Sequence, residues 1–237
     1  MSKKKLLILI ICIALALAVA GISIWLFTFY LPQAKRTEEL RQAMADYYDS
    51  KVAQFAEENE RIAPDSIDVV FLGDSLTDGY DVAAAYPQYT VLNRGIGGDT
   101  TDGLLERMHV SAYAVRPKVV VMLIGANNMH AMLDNYEDLL KGLQSNLPDT
   151  KVVLLSLTSM SGNWAHNNRE AAYNNTFIKR WAQQYGYSFV DLYTPLFDET
   201  TGELRAEYTV DGGHLTSAGY QVVTDAITPV LTELLGH

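Results

Sequence analysis

The sequence predicts an α/β protein in which a five-stranded parallel β-sheet lies between two layers of helices. From residue 66 onward, short apolar runs alternate with amphipathic stretches, which is typical of consecutive βαβ units. Three of the runs are apolar on both faces, as parallel strands are when helices cover both sides of their sheet. The predicted strands are residues 67–72, 90–93, 119–124, 152–157 and 188–193.

The amphipathic stretches predict helices, because their apolar side chains recur at three- and four-residue steps. These helices are residues 101–114, 134–147, 168–185 and 216–235. Asp134 and Glu137 have the spacing of a capping box at the start of the second helix. Pro229 lies inside the last helix and lacks the N–H of a helical residue, so we expect it to kink or interrupt that helix.

The N-terminal residues predict a membrane-spanning helix. Residues 6–31 form an uncharged run of 26 residues. At about 1.5 Å per residue this run reaches about 39 Å as a helix, which exceeds a hydrocarbon core of about 30 Å. Aromatic residues near its end are typical of an interfacial belt. They are Trp25, Phe27, Phe29 and Tyr30.

The charges that flank this run predict its orientation. Lysines occupy positions 3, 4 and 5, whereas only Lys35 and Arg36 follow the run. The positive-inside rule therefore favours a cytoplasmic N-terminus and an extracytoplasmic domain in a single-pass protein of the cell membrane. The alternative is a secreted protein whose signal peptide is cleaved near Ala20. The apolar residues that continue beyond Ala20 favour the uncleaved anchor.

The predicted organisation has three parts. Residues 1–36 form a cytoplasmic tip and the transmembrane anchor, residues 37–62 a helical connector, and residues 63–237 the α/β domain. Within the connector, apolar side chains recur from Leu40 to Phe55 at three- and four-residue steps. This stripe predicts a helix that packs on the domain or stands above the membrane as a stalk.

Composition excludes several classes of function. Of the 18 Lys and Arg residues, five lie in residues 1–36, which leaves 13 against 28 acidic side chains and a net charge of −15 elsewhere. Such a surface repels nucleic acids and anionic lipids. The single cysteine, Cys12, lies in the apolar run, so the domain has neither a disulfide nor a thiol nucleophile. We find no metal-ligand spacing and expect no cofactor.

Four short motifs carry candidate catalytic residues. Ser75 stands in Gly-Asp-Ser-Leu after the first strand, and Gly98 in Gly-Ile-Gly-Gly-Asp after the second. Asn127 follows the third strand, whereas Asp211 and His214 share a Gly-rich loop before the last helix. Each motif alone is typical of an ordinary turn. Because ligands of open α/β sheets bind at the carboxyl ends of the strands, we expect these residues to lie together.

The chemistry of these residue types is that of nucleophilic catalysis. A serine hydroxyl needs an imidazole to take its proton and a carboxylate to fix the tautomer of that imidazole. Backbone N–H groups at glycines and a side-chain amide can stabilise a developing oxyanion. The sequence therefore indicates a candidate Ser-His-Asp site.

In these four motifs the sequence resembles the SGNH/GDSL hydrolases, and the resemblance covers residues 67–235. It implies a flavodoxin-like three-layer fold with a shallow, solvent-open site. It also implies Ser75 as nucleophile, His214 as general base and then general acid, and Asp211 as the orienting carboxylate. The implied oxyanion donors are the backbone N–H groups of Ser75 and Gly98 and the side chain of Asn127.

One residue departs from the family pattern Gly-x-Asn-Asp, because Asn128 stands in place of the Asp. The Asn-Asn pair and Gly-Ile-Gly-Gly-Asp are similar to the branch of the platelet-activating-factor acetylhydrolases. No long apolar lid is inserted between the motifs. Together these features predict a serine esterase that removes short acyl groups, such as O-acetyl, from carbohydrates or small alcohols.

Two alternatives remain open. One is a lysophospholipase or thioesterase for longer acyl chains, which closeness to a membrane favours. The other is an inactive carbohydrate-binding module on the same fold. Trp164 and His166 lie in a loop after the fourth strand that could wall the pocket, with Trp164 as a platform for a sugar ring. The expected partners are the membrane and a small-molecule or glycan ester, and the oligomeric state stays open.

Overall fold

The structure, a computed structural model, describes residues 2–63 and 65–236. Met1, Pro64 and His237, which belong to the predicted first and last parts, lie outside the described residues. The chain divides into two compact units, Met1–Tyr47 and Tyr48–His237. The second unit therefore begins within the segment that the sequence predicts as a connector.

The N-terminal unit is helical. Helix α1 covers Lys3–Trp25, and a π-helical segment covers Leu26–Tyr30. Helix α2 covers Leu31–Asn59, and its residues from Tyr48 onward belong to the second unit. The whole segment Lys3–Asn59 is 57 residues long, and its most apolar window is not buried by protein. It is long and apolar enough to cross a membrane, and a signal sequence has the same properties.

A five-stranded parallel sheet forms the centre of the second unit, as predicted. Its strands follow the order β2-β1-β3-β4-β5. They are β1 (Val69–Gly73), β2 (Val91–Gly95), β3 (Val119–Leu123), β4 (Lys151–Leu155) and β5 (Ser188–Val190). All residues of β1 and β3 are buried, because branched apolar side chains on both faces of these central strands are covered by helices.

Helices surround the sheet, and the predicted three-layer α/β fold is confirmed. The helices are α3 (Ser75–Asp78), α4 (Val82–Ala85), α5 (Thr101–Met108), α6 (Tyr136–Asn146), α7 (Asn168–Tyr185), α8 (Tyr193–Leu196) and α9 (Ser217–Leu235). A π-helical turn, His109–Tyr113, prolongs α5, and two short antiparallel strands, β6 (Phe197–Asp198) and β7 (Glu203–Leu204), lie outside the main sheet.

The strand register places the candidate motifs at one edge. Gly73 at the end of β1 pairs with Gly95 of β2 and with Leu123 of β3. These three neighbouring strands therefore end level with one another. The loops that carry the first three motifs leave the sheet side by side.

One local prediction is wrong, and a second is wrong in part. The predicted capping box of Asp134 does not form, because α6 starts at Tyr136 and its cap residue, Asn135, makes no side-chain cap bond. Glu137 instead accepts a hydrogen bond from the hydroxyl of Tyr185 on α7 at 2.9 Å. Of the two effects expected of Pro229, the interruption does not occur, since helix α9 runs through this residue to its end.

The burial of α9 explains why it tolerates a proline. Val223, Ile227 and Leu231 lie on both sides of Pro229 and are buried in the core. The packing of this apolar face holds the helix together across the missing backbone N–H. The interior of a packed helix therefore overrides the local preference of proline.

Candidate active site

The turn between β1 and α3 presents Ser75. The strand ends at Gly73, and Asp74 caps α3 by accepting a hydrogen bond from the backbone N–H of Leu76 at 3.1 Å. Ser75 is therefore the first residue of the helix and lies at the carboxyl edge of the sheet. This sharp strand-to-helix turn leaves its hydroxyl at the surface of the cleft.

Asp211 and His214 are held together by their own loop. One carboxylate oxygen of Asp211 accepts hydrogen bonds from the backbone N–H groups of Gly213 and His214, at 2.9 and 2.8 Å. The other oxygen lies 2.7 Å from Nδ1 of His214. Gly212 makes this turn possible, because its φ of 97° is left-handed and an added Cβ would collide with the carbonyl of Ser161.

The fold brings this loop to the nucleophile candidate. Nε2 of His214 lies 2.9 Å from Oγ of Ser75, although the two residues are 139 positions apart in the chain. Ser75, His214 and Asp211 thus form one continuous hydrogen-bonded row. In such a row the imidazole can accept the serine proton while the carboxylate stabilises the resulting charge.

The carboxyl group of Asp211 is ionised under ordinary conditions. Hydrogen bonds from the His214 side chain and from the backbone N–H groups of His214 and Gly213 lower its pKa to about 2. An ionised carboxylate beside Nδ1 favours the tautomer that carries its proton there. The lone pair of Nε2 then faces the hydroxyl of Ser75.

The two remaining candidates lie in the neighbouring loops. Gly98 has a left-handed φ of 80° in the loop before α5. Among the described residues, the backbone N–H groups of Ser75 and Gly98 donate to no protein acceptor. Nδ2 of Asn127 donates one hydrogen bond to the carbonyl of Asp99 at 2.8 Å, which ties the two loops together.

A small cleft surrounds Ser75. Its volume is about 60 Å³, and its lining consists of Asp74, Ser75, Leu76, Ala126, Asn127, Thr158, Met160, Trp164, Gly213 and His214. The structure thus collects Asn127 and Trp164 at the same cleft, whereas Gly98 lies outside its lining. His166 also lies outside it, and its ring contacts the carbonyl of Asn163 at 2.8 Å.

Comparison with known proteins assigns the family. The model of the GDSL-like lipase/acylhydrolase family matches residues 71–222, more than half of the chain. The chain belongs to this family. The resemblance seen in its motifs is confirmed, and this GDSL-family protein is a hydrolase that acts on ester bonds.

Relatives of known name agree with this assignment. The chain is 28% identical over 196 residues to the platelet-activating factor acetylhydrolase IB subunit alpha1 of Rattus norvegicus, with 76% of this chain and 83% of the relative covered. The solved structure of "a putative platelet activating factor from Streptococcus pneumonia" is 25% identical, with a TM-score of 0.69, and the match covers 84% of this chain and 99% of the other. The acetylxylan esterase Axe2 of Geobacillus stearothermophilus shares the fold, with a TM-score of 0.58 and 23% sequence identity. The match covers 71% of this chain and 95% of the Axe2 chain.

The structure of this GDSL-family hydrolase adds buried polar residues that are not among the five candidate site residues. Asn128, the residue that departs from the family pattern, is buried and donates to Oγ1 of Thr101 at 2.8 Å. Arg107 is also buried, and its Nε donates to Asp99 at 2.8 Å. Arg107 stands three residues after Leu104, so helical spacing could have placed it on the buried face of α5.

Asp74 is a third such residue, and it lies beside Ser75. Its side chain is 1% exposed, and one of its carboxyl oxygens has no hydrogen-bond partner among the described residues. Burial raises the pKa of Asp74 to about 7, and the charge of Asp99 acts in the same direction. This carboxyl group is therefore expected to change its charge near neutral pH.

We predict that Asp74 makes the hydrolase less stable as the pH rises. A carboxyl group ionises near pH 4 in an unfolded chain, whereas Asp74 holds its proton up to about pH 7 in the folded state. The folded state therefore binds more protons in this window, and the free energy of unfolding falls as the pH rises through it. Asp74→Asn removes the titration, so its unfolding midpoint should fall less than that of the wild type between about pH 5 and about pH 8.

Asp134→Asn is the control for this prediction, because Asp134 is an exposed aspartate that precedes α6. It should show the same pH dependence of the unfolding midpoint as the wild type. Equal pH dependence in Asp74→Asn and the wild type would contradict the prediction.

Proposed function

We propose that this GDSL-family hydrolase is a serine esterase that removes short acyl groups, such as O-acetyl, from carbohydrates or small alcohols. The observation that carries the proposal is the row of hydrogen bonds from Asp211 through His214 to Ser75, with distances of 2.7 and 2.9 Å. Asp211 orients the imidazole, His214 is the general base and acid, and Ser75 is the nucleophile.

The proposed reaction has two halves. Oγ of Ser75 attacks the ester carbonyl carbon while Nε2 of His214 takes the hydroxyl proton. The tetrahedral intermediate then collapses, the bond to the alcohol oxygen breaks, and His214 returns the proton to the leaving alcohol. In the second half, His214 takes a proton from water, the hydroxide attacks the acyl-enzyme, and the carboxylic acid leaves as Ser75 recovers its proton.

Three donors would stabilise the oxyanion in both halves. The backbone N–H groups of Ser75 and Gly98 are free of protein acceptors among the described residues, which supports their role. Asn127 uses one amide hydrogen for the carbonyl of Asp99 and keeps the other for a ligand. Removal of one such donor in other enzymes costs about 2.7–4 kcal/mol of transition-state stabilisation.

The size of the cleft supports a short acyl group. Its volume is only about 60 Å³. An acetyl group fits such a space, whereas a fatty acyl chain would extend into solvent. The rat relative is named an acetylhydrolase, which agrees with this choice.

Trp164 supports a sugar as the alcohol part of the ester. Its indole lines the cleft and is 47% exposed, so one aromatic surface is available beside Ser75 and His214. An exposed aromatic ring at a cleft offers an apolar face to a ligand and a polar N–H at its edge. We infer that a carbohydrate ring stacks there while its acyl group enters the cleft.

We further propose that residues 1–36 hold the catalytic domain outside the cell membrane as an uncleaved anchor. The apolar helical segment and the lysines at positions 3, 4 and 5 support this orientation. The intact mass of the protein from a membrane fraction should therefore equal that of the full chain. A mass that corresponds to cleavage near Ala20, with the protein in the soluble fraction, would contradict the anchor.

Replacement of the row residues should abolish turnover. With a chromogenic acetyl ester and the full chain in detergent, we expect Ser75→Ala and His214→Ala each to lower kcat by about 10⁴-fold or more. The loss of kcat in Asp211→Asn should be about 10- to 100-fold smaller than in these two variants, because the nucleophile and base remain. A fluorophosphonate probe should label the wild type at Ser75 and leave Ser75→Ala unlabelled.

Ser145→Ala and His130→Ala are matched controls, because both residues are exposed and lie outside the cleft. Both should retain the wild-type kcat. Wild-type activity in Ser75→Ala would refute the proposal, and an unlabelled, inactive wild type would favour the non-catalytic binding module.

The length of the acyl chain should decide the rate. We expect a higher kcat/KM for nitrophenyl acetate than for nitrophenyl palmitate, because the cleft of about 60 Å³ encloses only a small group. Both esters are measured in the same detergent with the same protein. A preference of about 100-fold or more for palmitate, which is about 2.7 kcal/mol in transition-state binding, would instead support a lysophospholipase or thioesterase.

A further inference from the structure

The C-terminal part of α2, residues 48–59, contacts helices α3 and α5, which adjoin the loops that carry the proposed oxyanion donors. Tyr48 donates to the carbonyl of Gly103 in α5 at 2.8 Å. Lys51 forms an ion pair with Asp78, and Phe55 is 1% exposed. This helix segment belongs to the same compact unit as the catalytic residues.

A first path leads from Lys51 to the loop of Gly98. Nζ of Lys51 lies 2.8 Å from Oδ1 of Asp78, and Oδ2 of the same carboxylate accepts the backbone N–H of Gly97 at 3.0 Å. The side chains of Lys51 and Asp78 are only 20% and 17% exposed. Such a pair is weakly screened by solvent, so it holds the carboxylate more firmly than a surface ion pair would.

The bond to Gly97 restrains the neighbouring peptide group. Gly98 has a left-handed backbone and no side chain that could hold the loop in place. The direction of its N–H therefore depends on the groups that fix the adjacent residues. Asp78 fixes the residue before it, and Lys51 fixes one oxygen of Asp78.

A second path leads from Phe55 to Asn127. The guanidinium groups of Arg94 and Arg107 lie 4.5 and 5.9 Å from the centre of the Phe55 ring. Arg107 in turn donates to the carboxylate of Asp99 at 2.8 Å. The carbonyl of Asp99 accepts the amide of Asn127 at 2.8 Å. Both paths thus start on one helix segment and end at the proposed oxyanion donors.

We propose that Lys51 is a positioning residue of the esterase, which fixes the backbone N–H of Gly98 through Asp78 and Gly97. Lys51 does not touch the substrate. It acts on the transition state, because the N–H direction matters most when the carbonyl oxygen becomes charged. This inference rests on the proposed function, since it assigns Gly98 as an oxyanion donor.

Lys51→Met in the full chain tests the proposal, because methionine keeps an apolar stem beside Phe55 and removes the charge. We expect kcat for a chromogenic acetyl ester to fall about 10-fold while KM stays within about twofold. The loss is smaller than that from removal of a direct donor, because the N–H group itself remains. Labelling of Ser75 by a fluorophosphonate should slow by a similar factor.

The pH dependence separates this role from a general disturbance of the site. The bond between His214 and Asp211 is untouched in Lys51→Met, so the pH profile of kcat should keep its midpoint. Lys51→Arg, which keeps a cation, should recover most of the activity. A shifted midpoint, or no recovery in Lys51→Arg, would overturn the proposal.

Lys118→Met is the control for loss of an ion pair away from the site. Lys118 also forms an ion pair of 2.8 Å, with Asp68, and it lies at the opposite end of the strands. Its kcat should equal that of the wild type. If Lys118→Met loses as much kcat as Lys51→Met, the loss of any ion pair lowers kcat, and the proposal fails.

A double-mutant cycle completes the test. Asp78→Asn breaks the same pair from the other side and provides the measurement if Lys51→Met does not fold. The double variant should lose no more kcat than the larger single loss, because both changes act on the same series of contacts from Lys51 through Asp78 to Gly97. Losses that multiply would overturn the proposal.

The two proposals fail in different ways. If Ser75 is labelled and required for turnover but Lys51→Met keeps its kcat within about twofold, only the role of Lys51 is wrong. If Ser75→Ala keeps wild-type activity, the proposed function itself is wrong.

Discussion

The buried guanidinium of Arg107 holds together the segments that meet at the site. It donates to the carbonyls of Gly73 and Arg94, which belong to the ends of β1 and β2, at 3.0 and 2.8 Å. It also pairs with Asp99, and the two side chains are 1% and 2% exposed. Both strand ends and the following loop are thus bound to one cation. Removal of one partner of such a buried ion pair typically lowers the free energy of unfolding by about 3–5 kcal/mol.

The sheet and the row of catalytic candidates could be predicted because their signals are local. Apolar runs on both faces identify buried parallel strands without any knowledge of the partner strand. Ser75, Asn127 and the loop of Asp211 and His214 follow or precede such elements, and parallel topology brings the ends of the strands to one edge. The distance between His214 and Ser75 needs the coordinates, since 139 residues separate them.

The supporting contacts could not be predicted because they depend on partners that are distant in sequence. Lys51 lies four positions before Phe55, on the apolar face of the connector helix, but only the fold shows that Asp78 lies against it. The failed capping box has the same origin. Glu137 has the right spacing to reach back to its own helix end, but a hydroxyl from α7 engages it instead. Spacing along one helix does not reveal competition from another.

Asp211 and His214, the proposed acid and base, lie three positions apart in one turn, while Ser75, the proposed nucleophile, is on another element. The turn is closed by its own hydrogen bonds, including those from the backbone of Val210 and the hydroxyl of Thr209 to the carbonyl of His214, at 3.0 and 2.8 Å. The alignment of the imidazole to its carboxylate therefore depends on contacts within this turn. The distance from the imidazole to Ser75 depends instead on what anchors the turn to the rest of the fold, such as the hydrogen bond from the backbone N–H of Ser161 to the carbonyl of Gly212 at 2.8 Å.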